Sequence, residues 1–200
     1  MNTGTSATPE IGACLSEGWA IYKREPLLLS GAVLLMIIID AVASMVPFAN
    51  AVVYGPLMGG LYLLIIRIDR GKPVRFANYF DAFRLFLPLL LGTVVMSLLI
   101  GLGLLLLVLP GIYLAIAYSF TILNIVDGEM EFWPAMEHSR KVLTAHFWSY
   151  LFLSLLFLGI CMLGLLAAGV GLLVAVPFCL AAQYCFYRQL GAPATAVPGE

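Results

Sequence analysis

The feature that most constrains this chain is an apolar run, Leu87 to Leu109, that contains no charged side chain. A transmembrane α-helix needs about 20 consecutive, mostly apolar residues, so the run is long enough to cross a bilayer once. Two further runs, Leu27 to Phe48 and Phe147 to Leu166, have a similar length and character. A shorter, interrupted apolar segment follows each run and is expected to return the chain across the membrane.

Composition supports a membrane location and excludes other classes of protein. Hydrophobic residues make up 62% of the chain and charged residues 10%, with a mean hydropathy of +1.04, whereas soluble proteins carry roughly 25% charged residues. The sequence therefore predicts a single integral membrane domain over residues 1–190. A formal net charge of −1 argues against a nucleic-acid partner, because no basic surface is left to neutralise phosphates.

Three polar stretches interrupt the apolar sequence, and each combines apolar residues at helical spacing with a polar opposite face. They are Thr8 to Glu25, Val74 to Phe86 and Asp127 to Trp148, and they predict amphipathic helices that lie on a membrane. Pro134 is expected to be the first residue of the third helix, where its missing N–H costs nothing. We therefore predict an all-α polytopic membrane protein with six transmembrane helices. These form three hairpins, each preceded by a cytoplasmic-side amphipathic helix.

The predicted arrangement repeats. The three units cover approximately residues 8–68, 74–127 and 133–188, and the returning helices end roughly 60 residues apart at Arg67, Asp127 and Arg188. Divergent duplication and independent solutions to the same physical problem both remain open. The Pro/Ala/Gly-rich tail, residues 191–200, is expected to be disordered.

The distribution of basic residues predicts the orientation. All ten lysines and arginines fall in segments on one side of the predicted membrane. None falls in the three opposite turns, near Pro47 to Asn50, at Pro110-Gly111 and at Ala167 to Gly171. By the positive-inside rule both termini and all three amphipathic helices are cytoplasmic. The N-terminus has no basic region before an early apolar run, so a cleaved signal peptide is not expected.

Asp40 is the one ionisable residue within a predicted crossing segment. A carboxylate inside a membrane costs ~2.5 kcal/mol or more, and the sequence offers it no cationic partner. We expect it to be protonated or hydrogen-bonded to Tyr54, Tyr113 or Asn50, and we name Asp40, Tyr54 and Tyr113 as a candidate intramembrane polar site. Two interpretations remain open, a proton or ion relay and a neutral, hydrogen-bonded packing residue.

The returning segments are interrupted by glycine and proline. Such broken segments in repeated units mark binding sites in transporters, but small residues such as Gly55 and Gly59 let helix backbones approach closely, and close packing is the preferred interpretation. Asn124 and Gln183 are interpreted as interhelical hydrogen-bonding residues rather than ligands. The four cysteines show no CxxC pair and no nearby histidine at metal-ligand spacing, and they are interpreted as small buried hydrophobes: Cys14, Cys161, Cys179 and Cys185.

No catalytic constellation is recognisable. The sequence has no Ser/His/Asp set, paired catalytic carboxylates, HExxH motif or phosphate-binding glycine loop. His138 and His146 lie on the third amphipathic stretch without further metal ligands nearby. We therefore expect no catalytic, metal or cofactor site, and we expect that the protein is not an enzyme.

Aromatic and basic side chains on the amphipathic stretches suit the headgroup boundary. Aromatic rings favour this region, and nearby lysines and arginines attract anionic lipid heads at ~1 kcal/mol each. The candidate lipid-interface residues are Trp19, Phe80, Arg84, Trp133, Arg140 and Trp148. A simpler alternative is that these helices only cover the bundle and fix its depth.

Several short motifs point to a known group of proteins. Gly103 to Trp148 contains LPGIYL, then a helix ending in VDG, then AMEHSRKVLTAHFW, and the N-terminal part contains LSEGWAIYKRE. These motifs resemble YciC-like bacterial inner-membrane proteins and the membrane domain attached to some glycerophosphodiester phosphodiesterases. The resemblance implies a six-helix module of the bacterial cytoplasmic membrane without an established catalytic residue set. The sequence contains no phosphodiesterase domain, so that activity is not carried over.

Taken together, these features predict a non-enzymatic integral membrane protein of the cytoplasmic membrane. It is expected to be a lipid-interacting or partner-binding structural module, with membrane lipids and other membrane proteins as its partners. The alternative is a small-solute or proton-coupled transporter that uses Asp40 and the broken returning helices.

Overall fold

The computed structural model describes residues 10–45, 49–167 and 169–190, and these residues form helices joined by turns and short irregular segments, with no strand among them. The described elements are α1 (Ile11–Arg24), α2 (Pro26–Ala43), α3 (Ala49–Asp69), a 3₁₀ helix (Phe76–Leu85), α4 (Phe86–Leu106), α5 (Val108–Ala117), α6 (Thr121–Gly128), α7 (Phe132–Ala145), α8 (Phe147–Leu166) and α9 (Leu172–Gln189). The predicted all-α fold is confirmed.

Several helical spans are long and apolar enough to cross a membrane. Within the described ranges there are five: Pro26–Ala43, Val52–Asp69, Phe76–Leu106, Val108–Gly128 and Phe147–Leu166. The chain is therefore a multi-pass integral membrane protein. The sixth predicted crossing corresponds to α9, which is not among the five and whose last two turns carry Gln183, Arg188 and Gln189. Six crossings stay a prediction.

The returning helices form the core, and the outgoing helices surround it. Only 11% of the α8 span is buried, compared with 67% of the α3 span. Three stretches consist entirely of buried residues. They are Gly59–Ile66 of α3, Thr121–Asp127 of α6 and Cys179–Tyr187 of α9. The outward faces of α2, α4 and α8 are rich in exposed leucine, valine and phenylalanine, a surface suited to lipid.

Each short helix packs on the returning helix of the preceding unit, in a closed ring. α1 lies on α9, the 3₁₀ helix on α3, and α7 on α5 and α6. At the first contact a Cβ on Gly18 would lie 2.6 Å from the backbone nitrogen of Ala182, so glycine is needed for the close approach. At the third contact Ser139 Oγ donates to the carbonyl of Ala117 at 2.7 Å.

Local boundaries differ from the predictions at two prolines. α7 begins at Phe132, so Pro134 is its third residue rather than its first. The predicted turn at Pro110-Gly111 lies instead at Leu107, and Pro110 is the third residue of α5. The backbone N–H groups of the first helical turn have no intrahelical partner, so proline is tolerated at the third position as well as the first.

Two predicted helices also differ in form from the helices that the structure contains. The second amphipathic stretch forms a 3₁₀ helix that runs directly into α4. The second returning helix is not continuous, because it divides between Ala117 and Thr121 into α5 and α6. The expected disordered tail 191–200, the predicted helix start at residues 8–9, and residues 47–48 of the first turn lie outside the described residues.

Candidate functional site

A polar cavity lies among α2, α3 and α4. Its volume is about 360 Å³, and it is lined by Asp40, Asn50, Tyr54, Thr93 and Ser97. Each of these side chains carries an oxygen that can accept a hydrogen bond, and no lysine, arginine or histidine is among the described residues of the lining. The structure thus brings together Asp40 and Tyr54 from the predicted polar site.

The third predicted member of that site, Tyr113, lies elsewhere. Its hydroxyl is 2.9 Å from Oγ1 of Thr144, and its ring packs against Phe147 with centroids 5.9 Å apart. Tyr113 lies on α5, which packs against α4, α7 and α8. The proposed grouping of Tyr113 with Asp40 is therefore wrong.

Two buried oxygen atoms of the residues in the cavity wall have no hydrogen-bond partner among the described residues. Asp40 Oδ1 and Thr93 Oγ1 accept or donate no hydrogen bond within the part of the chain that the structure describes. The expected hydrogen bond from Tyr54, Tyr113 or Asn50 to this Asp40 oxygen is not formed. Thr93 is only 3% exposed, and an unpaired buried polar group is costly, so the fold leaves both atoms short of a hydrogen bond.

Close packing of α3 on α4 holds Thr93 in place. A Cβ on Gly55 would lie 2.5 Å from Thr93 Oγ1 and 2.7 Å from the carbonyl oxygen of Leu89. A Cβ on Gly59 would lie 2.9 Å from Leu89 Cδ1. The predicted packing role of these two glycines is confirmed, and the same contact forms one wall of the cavity.

A second cavity of about 230 Å³ lies where α3 and α4 meet the break between α5 and α6. Its wall is largely aromatic and apolar, and Tyr54 belongs to both cavities. The described residues that line it are Tyr54, Met58, Tyr62, Met96, Ile100, Ala115, Tyr118, Ser119, Ile122, Tyr150, Leu180 and Gln183.

Gln183 connects the helices around the second cavity. The Tyr62 hydroxyl donates a hydrogen bond to Gln183 Oε1 at 3.0 Å, and Gln183 Nε2 donates one to the carbonyl of Ser119 at 3.1 Å. Ser119 lies in the break between α5 and α6, where backbone groups leave the helical pattern and need other partners. Asn124 similarly donates to the carbonyl of Ala135 at 2.9 Å. The predicted interhelical roles of Gln183 and Asn124 are confirmed.

Ion pairs join the ends of the three returning helices on the side opposite the polar cavity. Arg70, just after α3, pairs with Asp127 of α6. Arg188 of α9 pairs with Asp69 at 2.5 Å and with Glu17 of α1 at 2.8 Å. From the sequence, these charges indicated only the orientation in the membrane. The ion pairs could not be predicted, because their partners lie far apart along the chain.

The aromatic candidates for the lipid interface are exposed. Trp133 is 62% exposed and Trp148 78%, and Trp19 and Phe80 are also exposed. The two basic candidates are engaged in ion pairs, as Arg84 contacts Glu129 at 2.9 Å and Arg140 contacts Glu137 at 2.8 Å. The hydrogen bond from Arg140 holds the pKa of Glu137 below its usual value. These pairs compete with any attraction of the arginines to anionic lipid.

Metal and thiol chemistry find no support in the described ranges. No group of three or more histidine, cysteine, aspartate or glutamate side chains is placed there to hold a metal ion. All four cysteines are free and Cys14, Cys179 and Cys185 are buried, as predicted, while Cys161 is partly exposed. Burial raises the pKa of the Cys14 thiol to about 11, which keeps it in its unreactive thiol form.

Comparisons with known proteins leave the family open. The resemblance to YciC-like proteins therefore stays a prediction that rests on its short motifs. Searches of protein-family models, of curated proteins and of solved structures find no match to this chain.

Proposed function

We propose that this integral membrane protein is a non-enzymatic module of a bacterial cytoplasmic membrane that interacts with lipids or partner proteins. The observation that carries the proposal is the exposure of the aromatic side chains on and beside the short helices, Trp19, Phe80, Trp133 and Trp148. They accompany the end of the bundle where the charged residues are paired, which is the arrangement expected at a headgroup boundary. The one-sided distribution of basic residues supports a cytoplasmic location for this end.

The three tryptophans provide a direct test, because Trp19, Trp133 and Trp148 are the only ones in the chain. The protein is reconstituted in vesicles whose lipids carry bromine either near the headgroup or near the chain end. We expect stronger fluorescence quenching by the shallow bromines. Equal or stronger quenching by the deep bromines would show that these side chains do not lie at the boundary.

A lipid or protein partner is tested by gentle extraction followed by native mass spectrometry. We expect a specific lipid or protein to remain bound, and we expect Trp133→Ala with Trp148→Ala to reduce its retention. Phe152→Ala is the matched control, because Phe152 is 62% exposed but lies on α8 beyond the boundary residues. If neither lipid nor protein is retained, or if the control has the same effect, the proposal is refuted.

A second candidate function is movement of a small solute or proton. It is favoured by Asp40, which lines a polar cavity and has an oxygen without a partner in the part of the chain that the structure describes, and by the break between α5 and α6 at a second cavity. Broken helices beside a polar cavity are typical of transporter binding sites. Flux in reconstituted vesicles that Asp40→Asn abolishes would support this function, and flux unaffected by that substitution would refute the role of Asp40.

A further inference from the structure

We propose that the two cavities form one binding site for a small amphiphilic amine. Its ammonium group lies against Asp40 and Thr93, and its apolar body lies in the cavity beyond Tyr54. This inference rests on the second candidate function for its biological use, but binding itself is measured without transport.

The acidic side chain in the first cavity favours a cation, because a bound cation stabilises the ionised form of a carboxylate. Asp40 is the acidic residue in its lining, and the four other side chains, Asn50, Tyr54, Thr93 and Ser97, offer neutral oxygens. An ammonium group presents up to three donors and no acceptor. It therefore matches the carboxylate of Asp40, whose Oδ1 has no hydrogen-bond partner among the described residues, and the neutral oxygens beside it.

The size of the first cavity disfavours a bare metal ion. Its volume of about 360 Å³ greatly exceeds the roughly 30 Å³ that one water occupies in the liquid. Hard cations such as Ca²⁺ need oxygen ligands at roughly 2.3–2.6 Å, and a space of this size does not enclose such an ion without many waters. An organic group with an ammonium head fills the space better.

The second cavity suits the apolar body of the same ligand. Its wall includes Met58, Tyr62, Met96, Tyr118 and Tyr150, and aromatic faces and thioethers make favourable contacts with both apolar groups and nearby cations. Ligand sites are commonly apolar clefts of about 300–1,000 Å³ with a few polar groups that fix orientation. The two cavities together have that character.

Tyr54 joins the two parts. It lines both cavities and is 37% exposed. It therefore lies where the ammonium head of a bound ligand would join the apolar body. The neighbouring Gly55 brings Thr93 against α3. One segment of α3 thus positions groups for both ends of the ligand, which is the geometric basis for one site rather than two.

The test measures binding of 2-phenylethylamine to the detergent-purified full chain by calorimetry, with detergent alone as the blank. The amine is protonated at neutral pH, and 2-phenylethanol and phenylacetate are matched neutral and anionic probes. We expect saturable binding of the amine alone. We also expect Asp40→Asn to weaken binding at least tenfold, whereas Glu131→Gln, an exposed carboxylate outside both cavities, leaves it unchanged.

Further arms separate the parts of the proposal. Thr93→Val and Tyr54→Phe should each weaken binding severalfold, and all variants are compared at equal monodispersity on gel filtration. If Asp40→Asn does not fold, Ser97→Ala provides a milder change in the same cavity and should weaken binding about twofold. Binding that none of the folded cavity variants alters overturns the proposal.

Two results would refute the joint site. Equal binding of 2-phenylethanol would show that charge does not select the ligand. Equal binding of methylammonium or sodium ions would show that the apolar body does not occupy the second cavity. Amine binding without flux in vesicles would refute transport and leave this inference intact, whereas absence of amine binding refutes the inference whatever the flux.

Discussion

Replacing Gly55 by alanine is expected to destabilise the fold, although alanine is the better helix former. In a helix interior, Gly→Ala gains about 1 kcal/mol from backbone propensity. At Gly55, however, the new Cβ would lie 2.7 Å from the carbonyl oxygen of Leu89 and 2.5 Å from Thr93 Oγ1. A backbone carbonyl cannot rotate away, so α3 and α4 must separate by several tenths of an ångström. Overpacking of this kind costs about 1–3 kcal/mol, which outweighs the gain.

The matched control is Gly159→Ala on α8, where an added Cβ would meet nothing within 4 Å. There the propensity gain is unopposed, and we expect equal or slightly greater stability, by up to about 1 kcal/mol. The free energy of unfolding is measured by titration with sodium dodecyl sulfate in mixed micelles, with helicity as the readout. If Gly55→Ala is as stable as the wild type, the close approach of α3 and α4 is wrong.

Three other substitutions test the remaining contacts by the same unfolding measurement. Arg70→Ala leaves the carboxylate of Asp127, whose side chain is 3% exposed, buried without its partner, and should cost about 3–5 kcal/mol. Arg84→Ala breaks an exposed pair and should cost no more than about 1 kcal/mol; similar losses for the two would refute the difference in burial. Ser139→Ala removes a hydroxyl that both donates and accepts between α7 and the α5–α6 break, and should cost about 1–3 kcal/mol; an unchanged stability would argue against this junction. Burial and Lys141 lower the pKa of His138 below its usual 6.5, so the unfolded chain binds more protons and stability should fall as the pH drops below about 6.5. His138→Gln should remove that part of the pH dependence, and a dependence unchanged by the substitution would contradict the lowered pKa.

The sequence predicted the spans best where hydropathy alone decides the structure. Phe147–Leu166 is the predicted third outgoing crossing and is also the exact extent of α8. The prediction was poorer at Pro110, because a proline marks both a turn and the first turn of a helix. The break between α5 and α6 was missed, since its partners Gln183 and Ser139 come from distant segments.

The candidate site was only partly predictable. Asp40 stood out because a single carboxylate in an apolar run is rare and costly, and Tyr54 lies in the same cavity. Tyr113 was misplaced because distance along the sequence does not specify which neighbour a helix face meets. Thr93 and Ser97 were missed, since hydroxyl side chains are common within membrane helices. The available signal was their spacing of four residues, which places both hydroxyls on one face of α4. That face lines the cavity with Asp40.

The ring of short helices explains why the units depend on one another. Each short helix covers the returning helix of the unit before it, so no unit encloses its own core. The ring closes where α1 meets α9, at the close approach of Gly18 to Ala182. Arg188 strengthens this closure, because it pairs with Glu17 on α1 and with Asp69 at the end of α3. The polar stretches are therefore more than membrane-surface helices, since they join the three units into one domain. The packed, ion-paired end of that domain leaves the opposite end, around Asp40, as the part that is open to a ligand.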